Sequence, residues 1–365
     1  MKKTYPPVYY SDYLQLEKLL DSQKMKSEEY GEAAHDEMLF IIVHQAYELW
    51  FKQIIYELDS IIEMFKNEVI EESNIGKCIS KMQRITLIQR LLIEQLSVIE
   101  SMTPLDFLDF RNFLIPASGF QSVQFRTIEN KLGLRSETRV TYNDKQYYTV
   151  VSGEHQNVLK ESEKEQSLLS LVDDWLARTP FLNLEGYDFW KSYKGTVEKQ
   201  LLEDKEIIMN NPSLSEEKKK RQLEEFEKTI ENFRMIIDEK KYNELVAQGH
   251  RKISHKAYLA ALFINLYRDE PILHLPFRFL TYCVEVDENF TMWRYRHALM
   301  VHRMIGAKIG TGGSSGSHYL MQTAEKHKVF KDFFDLSTYL VPRSEIPELD
   351  ESLKKQLGFY YTYNK

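Results

Sequence analysis

Four places in the 365-residue chain combine residue types capable of chemistry. His297 lies in MWRYRHALMVHRMIG, and on a helix Trp293, Met300, Val301 and Met304 share its face. An imidazole on such an apolar face suits a core histidine bonded to backbone groups as well as an axial ligand to a flat apolar cofactor, and periodicity does not choose between them. His44 sits one turn after Phe40 and one turn before Glu48, so Phe40 and His44 project together. Arg111 follows Phe107 and Phe110, and a guanidinium among aromatic rings offers a fork that matches a carboxylate, although a structural ion pair uses the same geometry. The run IGTGGSSGSH holds four glycines and three serines. It lacks GxxxxGK[ST] and follows a helical pattern, which excludes a nucleotide cradle.

The elements that must carry these residues read as helices. From His35 to Phe65 apolar residues recur at three- and four-residue steps, and a second such pattern runs from Ile79 to Met102, where Thr103-Pro104 stops it. Ile115-Pro116-Ala117-Ser118-Gly119-Phe120 breaks the periodicity and predicts a loop of the kind that lines sites. Residues 138–152 are rich in β-branched and aromatic types around Asn143-Asp144, consistent with a short hairpin or an irregular stretch. Helical periodicity returns over Ala257–Leu266 and Phe277–Arg303. Between these, 190–250 alternates lysine and glutamate and is interrupted at Asn211-Pro212, predicting a charged, solvent-exposed helical hairpin inserted into the main unit. The predicted fold is all-α: a large helical bundle formed by 1–189 and 251–365, with 190–250 as the inserted hairpin.

Composition narrows the function classes. The net charge of −7, with both signs interspersed, gives no broad positive face for nucleic acid. No run reaches the ~18 apolar residues of a membrane span, and MKKTYPPVYYSDY has no apolar stretch behind its lysines, so a cytoplasmic protein is expected. Cys78 and Cys283 offer neither CxxC nor CxxCH and are expected to be buried thiols. HExxH and the kinase motifs are missing, and the acidic residues show no metal-ligand spacing.

The wording of the sequence is more specific than its periodicity. HDEMLFIIVHQAYELWFK, FRNFLIPASGFQSVQFRTIE, LYRDEP, WRYRHALMVHRMIGAKIGTGGSSG and FKDFFDLSTYLVPR resemble the tryptophan 2,3-dioxygenase family. The resemblance covers about 8–130 and 251–345 and is weak over 131–250.

That resemblance implies a non-covalent haem b, one per subunit, with His297 as the proximal iron ligand and Ser118 and Gly119 beside the cofactor. It implies L-tryptophan and O2 as substrates, both oxygen atoms entering across the indole C2=C3 bond to give N-formylkynurenine, the opening step of kynurenine-pathway catabolism. His44 is then the distal histidine that orients the indole N–H. Phe40, Ile41, Ile42, Val43, Phe107, Leu114 and Ser118 border the substrate, Arg111 grips its carboxylate, and Thr311 meets the ammonium and carboxylate. In the family an N-terminal YxxYL segment closes a neighbour's pocket within a homotetramer, which falls here on Tyr10, Tyr13 and Leu14. Two departures bear on substrate choice: Phe107 carries no hydroxyl where family members often have Tyr or Phe, and Leu96 replaces a large aromatic found in some. Related haem proteins that hydroxylate other indoles or aromatic amino acids, and a haem or tryptophan sensor without turnover, are the alternative readings.

Overall fold

A computed structural model describes residues 5–141, 146–180, 189–310 and 316–358. Among them every regular element is helical, so the fold is all-α.

Helix α1 (Asp36–Phe65) buries Phe51, Ile54, Leu58, Ile61 and Phe65, one apolar stripe at three- and four-residue spacing. Its Glu37 carboxylate accepts the backbone N–H groups of Lys26 (2.8 Å) and Ser27 (2.9 Å), tying down the preceding turn. Helix α2 (Glu72–Ile99) begins seven residues before the sequence pattern suggests. Its first turns are polar, with Ile75 and Cys78 as the buried positions. Helix α3 (Pro104–Phe110) follows at once. Thr103 and Asp106 cap it reciprocally: the Asp106 N–H donates to Thr103 Oγ1 (3.3 Å) and the Thr103 N–H to Asp106 Oδ2 (2.9 Å). The Thr103 hydroxyl, which donates to Asp106 Oδ2 (2.6 Å), and the Thr103 N–H hold the Asp106 carboxyl below its usual range.

Helix α4 (Val123–Leu132) ends at Gly133, whose φ of +121° turns the chain toward α6 (Leu168–Ala177) after α5 (Gly153–Lys164). A Cβ at Gly133 would stand 2.8 Å from Leu169 Cβ, so both the dihedral and the close approach require glycine. The described parts of 138–152 form 3-10 turns at Ser136–Thr138 and Tyr147–Val150, not a hairpin, while 142–145 lie outside the described residues.

The charged stretch folds as α7 (Phe189–Asn210), α8 (Glu216–Ile237) and α9 (Glu239–Ala247). It is less solvated than its composition suggests. Tyr193, Val197, Phe233, Ile236 and Tyr242 are buried in the main core, and the Tyr193 hydroxyl donates to the Tyr339 carbonyl. The lysine–glutamate alternation describes the outer face, while the aromatic residues between root the helices.

Helix α10 (His255–Leu266) is buried on nearly every side, and α11 (Pro271–Ile305) is the longest element. Pro276 lies inside α11, where it deprives only the Ile272 carbonyl of a partner, and Ile272 is solvent-exposed. α11 packs along α2 and against α12 (Gly316–Lys326), and α1 packs on α2 and α4. Side chains pin these contacts at backbone carbonyls: Gln89 Nε2 donates to Val286 (3.1 Å), Tyr47 to Leu92 (2.7 Å), Gln95 Nε2 to Val43 (3.0 Å) and Arg296 Nη1 to Ile93 (3.3 Å). No helix of the described residues is long and apolar enough to cross a membrane.

Candidate active site

Where α1, α2, α3, α4, α11 and α12 converge they leave a cavity of about 230 Å³, open at its mouth. One wall is aromatic. Phe40 lies 4.1 Å from the His44 ring, 5.8 Å from Phe107 and 5.5 Å from Phe110 between centroids, and Phe107 meets Phe110 edge-on at 5.4 Å. The Thr103 cap sets this wall, because it fixes the short helix that carries both phenylalanines and delivers Arg111.

His44 reaches the cavity with a defined tautomer. Its Nδ1 is 2.7 Å from the Phe40 carbonyl, and a carbonyl can only accept, so Nδ1 carries the proton and Nε2 keeps its lone pair. Desolvation by the surrounding protein lowers its pKa, against the opposing influences of the Phe40 carbonyl and the Glu48 carboxylate. The ring is therefore a neutral acceptor near pH 7. Glu48, one turn on, is held by Gln124, whose Nε2 donates to its carbonyl and to Oε2, each at 2.8 Å.

Arg111 donates through Nη2 to the Ile309 carbonyl (2.5 Å), the residue before Gly310, and its Nε has no partner among the described residues. The guanidinium is thus anchored at one corner with donors to spare. Ser118 and Gly119 line the same cavity, and a Cβ built on Gly119 would meet nothing within 4 Å.

The facing wall belongs to α11. His297 projects into the cavity with Trp293 one turn before it, ring centroids 5.2 Å apart, and Met300, Val301 and Met304 beside it. Neither imidazole nitrogen has a hydrogen-bond partner among the described residues, and Nδ1 is fully buried. Burial pushes its pKa down to about 4. An unpaired neutral imidazole on an apolar wall is costly as a core residue, and its chemistry fits that of a metal ligand.

Of the residues expected from sequence, Phe40, His44, Phe107, Arg111, Ser118, Gly119 and His297 come together around one cavity. Ile41, Ile42, Val43 and Leu114 are not on its lining. Successive helical residues turn by 100°, so Val43 points into the core and Ile42 to the outside while His44 faces inward. Tyr10, Tyr13 and Leu14 stand exposed on a short N-terminal helix, and Thr311 lies outside the described residues. Sequence reasoning missed Tyr47, Glu48, Arg126, Glu129, Arg294, Tyr319 and His327, all of which line the cavity. The available signal was spacing: Arg126 and Glu129 share a face of α4, and Arg294 lies one turn before His297.

The family model described as tryptophan 2,3-dioxygenase matches residues 3–340. The chain is 49% identical over 357 residues to the tryptophan 2,3-dioxygenase of Bdellovibrio bacteriovorus, covering 98% of this chain and 99% of that one. It is 45% identical over 360 residues to that of Alteromonas mediterranea, covering 99% of each, and 48% identical over 355 residues to that of Mus musculus, covering 97% and 86%. Aromatic wall, forked cation, neutral acceptor and unpaired imidazole, joined to matches of this length, place the chain in the tryptophan 2,3-dioxygenase family.

Proposed function

We propose that this protein is a haem-dependent oxidoreductase that opens the indole ring of L-tryptophan, adding both atoms of O2 across C2=C3 to give N-formylkynurenine. The observation that carries the proposal is the pair of imidazoles on facing walls, His297 with both nitrogens unpartnered and His44 with its Nδ1 committed to the Phe40 carbonyl. Bound haem supplies the iron and the oxygen chemistry, and His297 is the residue that holds it.

The chain's own groups bind and orient the amino acid. Arg111 meets the carboxylate through its free donors, with Thr311 assigned to the ammonium and carboxylate by family resemblance. Phe40 and Phe107 flank the indole, and His44 Nε2 accepts the indole N–H, which aligns the ring without removing the proton in an obligatory step. Ser118 and Gly119 border the cofactor edge, where the lack of a Cβ at Gly119 leaves room for a large planar group.

The exposed Tyr10 and Tyr13, at 74% and 76%, support assembly with further copies of the chain, in which the N-terminal turn covers a neighbour's cavity within a homotetramer. We assign 1–189 and 251–365 to the catalytic unit, 190–250 to an insertion, and the cytoplasm as the place of work.

The test is anaerobic reduction of haem-loaded protein, addition of L-tryptophan and then oxygen, and detection of product absorbance near ~320 nm, where a conjugated aryl ketone absorbs once the haem has opened the ring. Product with two labelled oxygen atoms, lost in His297→Ala, is the expected result. One labelled atom per product identifies a monooxygenase, and tryptophan binding without product identifies a sensor; either would replace the proposal.

A further inference from the structure

The roles above leave one part of the cavity wall unused. Glu129 on α4 is buried, and its carboxylate accepts from three guanidinium groups: Arg126 Nη1 (2.9 Å), Arg294 Nη2 (2.7 Å) and Arg139 Nη1. Arg139 also donates through Nη2 to Asn130 Oδ1 (2.6 Å) and lies 4.1 Å over the Tyr147 ring. Arg294 donates through Nη1 to the His327 carbonyl (3.2 Å). His327 accepts the Val140 N–H at Nε2 (2.9 Å) and places Nδ1 3.5 Å from Glu129 Oε1, so it is a neutral ring aimed at the carboxylate. Arg126, Glu129, Arg294 and His327 all line the cavity that holds His297.

The charges in this wall do not cancel. Three arginines face one carboxylate at ion-pair distance, since Arg126, Arg139 and Arg294 each pair with Glu129. The other charged groups felt here are Asp287, which acts on Arg294 and is itself faced by Lys252, and Glu163 beyond Tyr147. Among these groups of the described residues Arg126, Arg139, Arg294 and Lys252 stand against Glu129, Asp287 and Glu163, a surplus of one positive charge. Arginine does not lose its proton in proteins, so the surplus is a permanent field, and burial weakens the solvent screening that would mute it.

Reduction of a haem iron adds one electron and lowers the net charge of the iron–porphyrin unit by one. A fixed positive field beside that unit favours the reduced state. We propose that the arginine cluster centred on Glu129 tunes the redox balance of the prosthetic group, its surplus charge stabilising ferrous over ferric iron. The inference rests on the haem-binding reading of His297. Arg294 stands one turn before His297 on α11, so the charge and the axial ligand are fixed to the same rigid element. Glu129 is then a positioning residue that sets how much of the charge remains uncompensated.

The experiment is a potentiometric titration of haem-loaded protein with dithionite as reductant, followed in the visible spectrum. Glu129→Gln removes the compensating charge and should raise the midpoint potential. Arg126→Met and Arg294→Met remove surplus charge and should lower it, while Arg294→Lys keeps the charge without the fork and should stay near the unsubstituted protein. A merely structural cluster predicts shifts of one common sign, with Arg294→Lys as perturbed as Arg294→Met. That pattern, or no shift in variants that load haem, overturns the proposal. If the methionine variants load poorly, Glu129→Gln against Arg294→Lys still decides, because the first must move and the second must not. Uptake of haem with an unchanged spectrum by His297→Ala would instead remove the reading beneath it.

Discussion

Replacing Arg111 by alanine tests the substrate-binding geometry at one side chain. Arg111 is anchored by a single bond to the Ile309 carbonyl, and its Nε is unpartnered among the described residues, so its remaining donors are free for a ligand carboxylate. A charge-assisted hydrogen bond contributes about 1.5–3 kcal/mol, and a carboxylate left unpaired inside a cavity adds a desolvation cost, which together give a loss of about 2–4 kcal/mol. At 1.4 kcal/mol per decade this is a weakening of tryptophan binding by about 30- to 700-fold. Arg111→Lys keeps a point charge but not the fork and should fall between. The assay is equilibrium titration of haem-loaded protein, read from the visible spectrum, with tryptamine as the matched ligand lacking the carboxylate. Tryptamine should bind Arg111→Ala about as well as the unsubstituted protein. Equal losses for both ligands would refute the reasoning, and would mean that Arg111 acts by holding the backbone at Ile309 rather than by gripping the carboxylate.

Other expectations concern stability. Gly133→Ala forces a Cβ to 2.8 Å from Leu169 Cβ at a φ of +121°, and chemical denaturation should show a loss of about 1–3 kcal/mol. Thr103→Ala removes the cap of α3 and should cost about 0.5–2 kcal/mol, with weakened tryptophan binding because the same helix sets Phe107 and Arg111. Asp287 is buried and accepts the N–H groups of Val329 (3.0 Å) and Phe330, yet burial raises its pKa from 3.8 to about 6. The folded state therefore holds this proton more tightly than the unfolded state. Its stabilising contribution is full below about pH 4 and is lost as pH rises through 6, a change of about 3 kcal/mol. Denaturation across this window should show that decline, and Asp287→Asn should flatten it; an unchanged slope would assign the decline to other groups.

The sequence was most legible where one apolar face repeats. The stripe from His35 to Phe65 returned α1 to within a residue, because packing and propensity agree there. At α2 the first two turns were invisible: Ser73, Asn74 and Gly76 dilute the pattern, and only tertiary contact with α1 makes Ile75 and Cys78 core residues. Pro276 hid the start of α11, since a proline argues against a helix interior unless the carbonyl it orphans faces water. In the charged stretch, lysine and glutamate drew attention away from Tyr193 and Phe233, which root it. The site divided in the same way. Histidines on apolar faces and an arginine among phenylalanines could be singled out, whereas the Glu129 cluster joins residues 126, 139, 294 and 327, a meeting that no local pattern encodes.

The packing of α2 along α11 also governs when the cavity comes into being. His44 and His297 are separated by roughly 250 residues, and at synthesis rates of about 5–20 residues per second the first waits about 12–50 s for the second. Throughout that interval the stripes of α1 and α2 that α11 will cover lie open, since their partner does not yet exist. The nascent chain thus passes through a long stage with a hydrophobic cleft and no ligand site, in which chaperone occupancy and protease sensitivity should be highest. Release from that stage and arrival of the wall that carries His297 coincide, so maturation of the fold and completion of the cavity form one event.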